Sequence, residues 1–175
     1  MQEFDFIFSI AVLIMSVVVH EVSHGYVAEL FGDPTARLSG RLTLNPLKHL
    51  DPVGSFLVPT LTYMLGGFII GWARPVPYNP YNFKQQRLGT ALTAAAGALA
   101  NIFLALVFGL LIRFAPAFGI VSEPFMALAG TIVFINLILA VFNLIPVPPL
   151  DGSKVLFSLL PPRFFHIEQL LERYA

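Results

Sequence analysis

Long runs of apolar residues divide this chain, and the polar positions between them are few and clustered. The first run, Phe6–Val19, passes into His20-Glu21-Val22-Ser23-His24 and then Gly25–Phe31 without a helix breaker of its own. It stops at Gly32-Asp33-Pro34, a sequence that ends helices. The pattern predicts a first membrane helix over about residues 4–31, carrying an ionisable cluster toward its C-terminal end. Residues 52–73, 88–112 and 124–150 contain no Asp, Glu, Lys or Arg. Each reaches the roughly 20 residues that a membrane helix needs. The first of them contains Pro59 and Gly66-Gly67, and the last closes on Pro146, Pro148 and Pro149. Full spans are therefore expected at about 88–113 and 124–146, with a re-entrant or broken segment over 52–73.

The connectors have patterns of their own. Ala36–Asn45 alternates around Gly40, which predicts a short hairpin. Trp72–Pro80 is rich in proline, which forbids a helix and favours extended backbone. The tail, 162–175, sets Phe164, Phe165, Ile167, Leu170, Leu171 and Tyr174 among polar residues, the pattern of an amphipathic helix at a membrane interface. Glu3 and Asp5 precede the first apolar run and no Lys or Arg appears before Arg37, so the N-terminus does not read as a cleavable signal. The fold class expected is an all-α polytopic membrane protein in one domain, residues 1–175. It would have a three-helix core, the broken segment, the hairpin and the interfacial helix.

Composition sharpens this picture. Of 175 residues, 57% are hydrophobic and 11% charged, with a mean hydropathy of +0.79. Soluble domains carry about 25% charged residues, so a water-soluble enzyme is excluded. Ten basic and ten acidic residues cancel, leaving no electrostatic case for a nucleic-acid partner. With no cysteine, there is no disulfide, no thiolate metal site and no cysteine nucleophile. Any metal must be held by nitrogen and oxygen.

His20-Glu21-Val22-Ser23-His24 is an HExxH motif on a predicted helix. Residues i and i+4 lie about 40° apart and roughly 6 Å along the axis, so both imidazoles can converge on one ion. Glu21 points to the adjacent strip, where a carboxylate can serve as general base. Zinc lowers the pKa of water that it binds from 15.7 to about 7, which brings proton abstraction within reach of a carboxylate. So short a motif also arises by chance. Two histidines and a glutamate inside a membrane helix, however, cost several kcal/mol and are retained mostly where they act.

A catalytic zinc normally takes three protein ligands, and the third must come from another part of the chain. Asp151 is the outstanding acidic candidate. It follows Asn143-Leu144-Ile145-Pro146-Val147-Pro148-Pro149-Leu150, whose prolines free backbone groups that only a protein- or water-lined cavity can satisfy. The alternative is that Asp151 only caps a following helix, with Gly152 easing the turn. His49, in a connector flanked by proline and aspartate, is expected to make a local hydrogen bond, and His166 to lie at the surface.

With HExxH in the first helix and Leu150-Asp151-Gly152 downstream, the chain resembles the site-2 protease family of intramembrane zinc metalloproteases. Gly97-Ala98-Leu99-Ala100-Asn101 and the Gly40–Gly54 connector extend the resemblance over nearly the whole chain, toward the compact prokaryotic branch. The resemblance implies zinc held by His20, His24 and Asp151, with Glu21 as the base. It also implies Asn143 as the hydrogen-bond donor that stabilises the oxyanion. Ala98 stands where the family usually has proline, which leaves that helix less kinked. Members of the family typically add another membrane helix beyond the position of Ala175.

The function expected is zinc-dependent cleavage of transmembrane or membrane-adjacent peptide segments in the lipid bilayer. The hairpin and the Arg74–Pro80 segment are candidates to hold the peptide as an added strand. A membrane zinc transporter or metal-binding protein without protease activity is the alternative, and it would give Glu21 no special duty. Arg37, Arg41 and Lys48 in one connector, and Arg74, Lys84 and Arg87 in the next, place both in the cytoplasm and the N-terminus outside. The expected location is a prokaryotic cell membrane, crossed several times, with the site toward the cytoplasmic face.

Overall fold

Helix α1, Gln2–Leu30, ends where Gly32 takes a positive φ of 107° and the Asp33 N–H turns back to the Ala28 carbonyl. That is the glycine-led stop that the sequence announces. The structure, a computed structural model, describes residues 2–66, 72–119, 122–161 and 164–174. Among them there are helices and turns but no strand. After α1 come α2 (Thr35–Leu38), α3 (Val58–Gly66), α4 (Gln86–Phe114), α5 (Glu123–Asn143), α6 (Asp151–Leu159) and α7 (Phe165–Tyr174). Three helical stretches, within α1, from α4 to Phe118 and in α5, are long and apolar enough to cross a membrane.

The hairpin expected around Gly40 is absent, and a helical turn, α2, stands in its place. Asp33 explains the difference: its Oδ1 accepts from the backbone N–H and the hydroxyl of Thr35, a side-chain turn that leads into a helical turn the alternating pattern conceals. Ala36 is buried against Gly25 of α1, while Leu38 is 81% exposed, so the alternation has no buried face. Gly40 closes the turn at φ 65°, with the Arg41 N–H bonded to the Ala36 carbonyl.

The segment at 52–73 begins with a π-helical turn, Val53–Leu57, and continues as α3; residues 67–71 lie outside the described residues. Its two ends are tied side by side. The Trp72 N–H donates to the Gly54 carbonyl at 3.0 Å, and the Arg74 N–H to the His49 carbonyl at 2.8 Å. A Cβ on Gly54 would meet the Trp72 indole, so only glycine permits this approach. The segment thus leaves and returns at one place, and residues 73–79 then run without helix to the turn at Pro80–Asn82.

Helix α4 is the centre of the bundle, packed against α1, α5 and α6. Its buried face is made of small residues, Gly89, Ala91, Ala94, Gly97, Ala98 and Ala105, with Thr93 and Asn101 among them. Leu99, Phe103 and Leu106 are exposed on the other side. In lipid, bulk on the outside carries no penalty, and small residues inside let helices approach closely. With alanine at 98, α4 runs unbroken from Gln86 to Phe114. Thr93 meets His24, and Asn101 meets both His20 and Ser16, so α4 runs antiparallel to α1.

Candidate metal centre

His20 and His24 lie one turn apart on the buried face of α1, 5% and 6% exposed. Their rings are 4.7 Å apart and nearly perpendicular. Opposite them, Asp151 opens α6. Its Oδ2 lies 3.1 Å from Nε2 of His20 and 3.2 Å from Nε2 of His24. The chain crosses from α5 to α6 through a proline-rich reversal that includes a cis Pro148–Pro149 bond. Gly152 makes the junction fit: a Cβ there would stand 2.3 Å from the Leu144 carbonyl oxygen, a backbone atom that cannot swing aside. Asp151 does not cap its helix. The cap position falls on Leu150, and the carboxylate faces the imidazoles instead.

Each imidazole is fixed from behind. Nδ1 of His24 lies 2.6 Å from the Thr93 carbonyl, and Nδ1 of His20 lies 2.6 Å from Oδ1 of Asn101. Both partners accept, so each Nδ1 donates to them, and each Nε2 is turned toward Asp151 as the nitrogen left to ligate a metal ion. That is the arrangement metal-binding histidines use. One donor atom from each of His20, His24 and Asp151 lies within 4.8 Å of the others, and the group is placed to bind a metal ion.

Glu21 is half-buried beside this group, and its Oε2 accepts from the Val76 N–H at 2.8 Å. Pro75 and Pro77 have no N–H, so Val76 is the one donor in that triplet. Arg41 holds the triplet in place through the carbonyls of Arg74 and Pro75. Asn143 ends α5 with its amide donating to the Leu139 carbonyl on its own helix. That bond turns the amide back along α5 and not to the histidines. His49 donates locally, from Nε2 to the Thr43 carbonyl at 2.8 Å, and His166 is exposed.

The profile of Peptidase family M50 matches residues 119–170, the stretch that contains Asp151. "Putative zinc metalloprotease YwhC" of Bacillus subtilis (strain 168) is 43% identical over 157 residues, which cover 86% of this chain and 68% of that protein. The chain belongs to peptidase family M50, the site-2 proteases. "Putative zinc metalloprotease Rip2" of Mycolicibacterium smegmatis is 36% identical over 158 residues, and that of Mycobacterium tuberculosis H37Rv 31% over 157. Each comparison covers 90% of this chain but only 59% of the mycobacterial protein. No solved structure matches the chain.

Several residues of this M50 site are not singled out by the sequence alone. The Thr93 carbonyl and the Val76 N–H are backbone groups, invisible to a reading of side-chain types. Gly97 and Asn101 stand in a motif that carries the resemblance, but not with their part in seating His20: a Cβ on Gly97 would lie 2.5 Å from that ring. Asn136 and Ser16 had a signal, as polar side chains within membrane-spanning helices.

Proposed function

We propose that this chain is a zinc-dependent intramembrane endopeptidase that cleaves transmembrane or membrane-adjacent peptide segments. The observation that carries the reading is the convergence of His20, His24 and Asp151, with each Nδ1 held by an acceptor. The donor set suits zinc. Tetrahedral ligands about 2.0–2.1 Å from the ion stand about 3.3 Å apart, close to the 3.1 and 3.2 Å seen between Asp151 and the imidazoles. The names of the M50 relatives support the same metal. Bound there, zinc supplies Lewis acidity that makes water a nucleophile near neutral pH.

The chain's own residues divide the remaining work. Glu21 is the general base. The Val76 N–H occupies Oε2, which orients the carboxylate and leaves Oε1 to take the proton from water. Asn143 donates to the developing oxyanion through the second hydrogen of its amide, the first being spent on Leu139. A peptide added along Arg74–Pro80 must compete for backbone groups already in use, because the N–H groups of Arg74, Val76 and Asn79 are all bonded. Substrate binding at this edge would draw Val76 away from Glu21, coupling occupancy to release of the base. The site lies toward the cytoplasmic face of the cell membrane.

Zinc stoichiometry measured beside cleavage of a panel of single-pass membrane peptides tests the assignment. Asp151→Ala should lose zinc and activity together. Glu21→Gln should keep zinc while turnover falls by about 10²–10⁴. Asn143→Ala should keep zinc and lose about 10²–10³ in rate. A transport site predicts that Glu21→Gln is nearly silent. Normal cleavage by Asp151→Ala, or zinc loss in Glu21→Gln, overturns the reading.

A further inference from the structure

We infer that Asn136 and Ser16 are positioning residues for the metal centre: their hydrogen bonds set the direction of the Asn101 amide, which in turn fixes His20 with its proton on Nδ1. The inference rests on the proposed role of His20 as a metal ligand. Neither residue touches the histidines. Asn136 comes from α5, Ser16 from α1 one turn before His20, and Asn101 from α4. Asn101 and Asn136 are wholly buried and Ser16 is 3% exposed, so no water competes for their polar atoms.

A planar amide can sit either way round, with two donors on one arm and an acceptor on the other. Only one way round suits His20, because its Nδ1–H needs an acceptor. If Asn101 turned over, its NH₂ would face Nδ1 and push the proton to Nε2, into the place where a ligand lone pair is required. The chain of bonds excludes that. Nδ2 of Asn101 donates to Oδ1 of Asn136 at 2.7 Å and to the Ser16 carbonyl at 3.3 Å. Nδ2 of Asn136 donates to the Ser16 hydroxyl at 2.9 Å and to the Ile132 carbonyl at 2.8 Å. The carbonyls of Ile132 and Ser16 can only accept, so they give the chain its direction. All four amide hydrogens have a place, and turning either amide over sets donor against donor and acceptor against acceptor. Three helices thus pass a polarity from two fixed carbonyls to one imidazole. His24 needs no such relay, because its partner, the Thr93 carbonyl, is itself backbone.

The test uses the full chain purified in detergent and reads two quantities. The first is the 15N shifts of both histidines without metal, at alkaline pH where imidazoles are neutral. The second is the zinc dissociation constant. Asn136→Leu should move His20 toward the Nε2–H form and leave His24 unchanged. It should also weaken zinc binding by about 10–100-fold. Ser16→Ala should shift both readouts the same way by a smaller factor, and serves if Asn136→Leu does not fold. The discriminating variant is Asn101→Asp, whose carboxylate accepts on either face and needs no orientation. In that background Asn136→Leu should change zinc affinity by no more than a few-fold. Unchanged His20 shifts and zinc affinity in folded Asn136→Leu and Ser16→Ala would overturn the inference. So would an Asn136→Leu defect that persists fully beside Asn101→Asp, since that marks a purely structural role. Failure of the metal reading itself is recognised separately: the wild type would bind no zinc, whatever the tautomers show.

Discussion

Gly97 shows how little space separates a working histidine from a displaced one. A Cβ at this position would lie 2.5 Å from both Cε1 and Nε2 of His20, and the ring is held from behind by Asn101, so it cannot retreat. Gly97→Ala is therefore expected to cost about 1–3 kcal/mol through overpacking. It should also weaken zinc binding by about tenfold or more by turning Nε2 away from Asp151. Thermal unfolding and zinc titration check the two effects, and wild-type zinc affinity in this variant would contradict the geometry. At this scale the sequence was informative about the side chains to which we assign direct roles. HExxH placed His20, Glu21 and His24 on one helix, and the Leu-Asp-Gly motif pointed to Asp151. Their supports were less legible. Thr93 meets His24 through its carbonyl and Val76 meets Glu21 through its N–H; every residue type has the first group and every type except proline the second.

Among the elements, the connector between α1 and α4 depends on a single buried carboxylate. Asp33 is fully buried, and four hydrogen bonds meet it: from the Thr35 N–H and hydroxyl, the Asn79 N–H and the Asn82 amide. It ties the end of α1 to α2 and to the proline-rich stretch that presents Val76 to Glu21. Burial pushes its carboxyl up, but the hydrogen bonds outweigh this and hold it below the ordinary carboxylate value. A depressed folded-state pKa means that the stabilisation is present above the unfolded-state value. It is lost as the pH falls through the folded-state one. The melting temperature should accordingly fall as pH is lowered through the carboxylate range, and Asp33→Asn should remove that part of the pH dependence. The variant should also be less stable at neutral pH, by about 1–3 kcal/mol, because an amide cannot accept from all four donors. An unaltered pH profile in Asp33→Asn would show that the latch contributes nothing. The same residue explains the one element misread from sequence. Alternation over Ala36–Asn45 has the period of a strand, yet the turn that Asp33 makes with Thr35 leads into a helical turn. A local side-chain turn outweighs a weak pattern when no buried face supports that pattern.

For the whole molecule, the directions of the helices and the charges of the connectors agree on one arrangement across the membrane. Helix α4 is antiparallel to α1, and the segment between them returns to its own starting point, since Trp72 bonds Gly54 and Arg74 bonds His49. The two basic connectors therefore lie on one side. They also touch, through the Lys84 N–H and the Phe31 carbonyl at 3.0 Å. A segment that crossed the bilayer would have separated them. Positive charge in short connectors marks the cytoplasmic side, and on the topology we propose the N-terminus and the turn after α4 lie outside. The absence of cysteine makes this directly measurable. Tyr81, 86% exposed in the second connector, and Phe118, 78% exposed after α4, are suitable for single cysteine substitutions. In intact cells a membrane-impermeant thiol reagent should label the chain carrying Phe118→Cys and spare the one carrying Tyr81→Cys. In inside-out vesicles the pattern should reverse. External labelling of Tyr81→Cys would mean that the 52–73 segment crosses after all. The connector holding Val76 would then be parted from Glu21, and the site could not be built as it stands here.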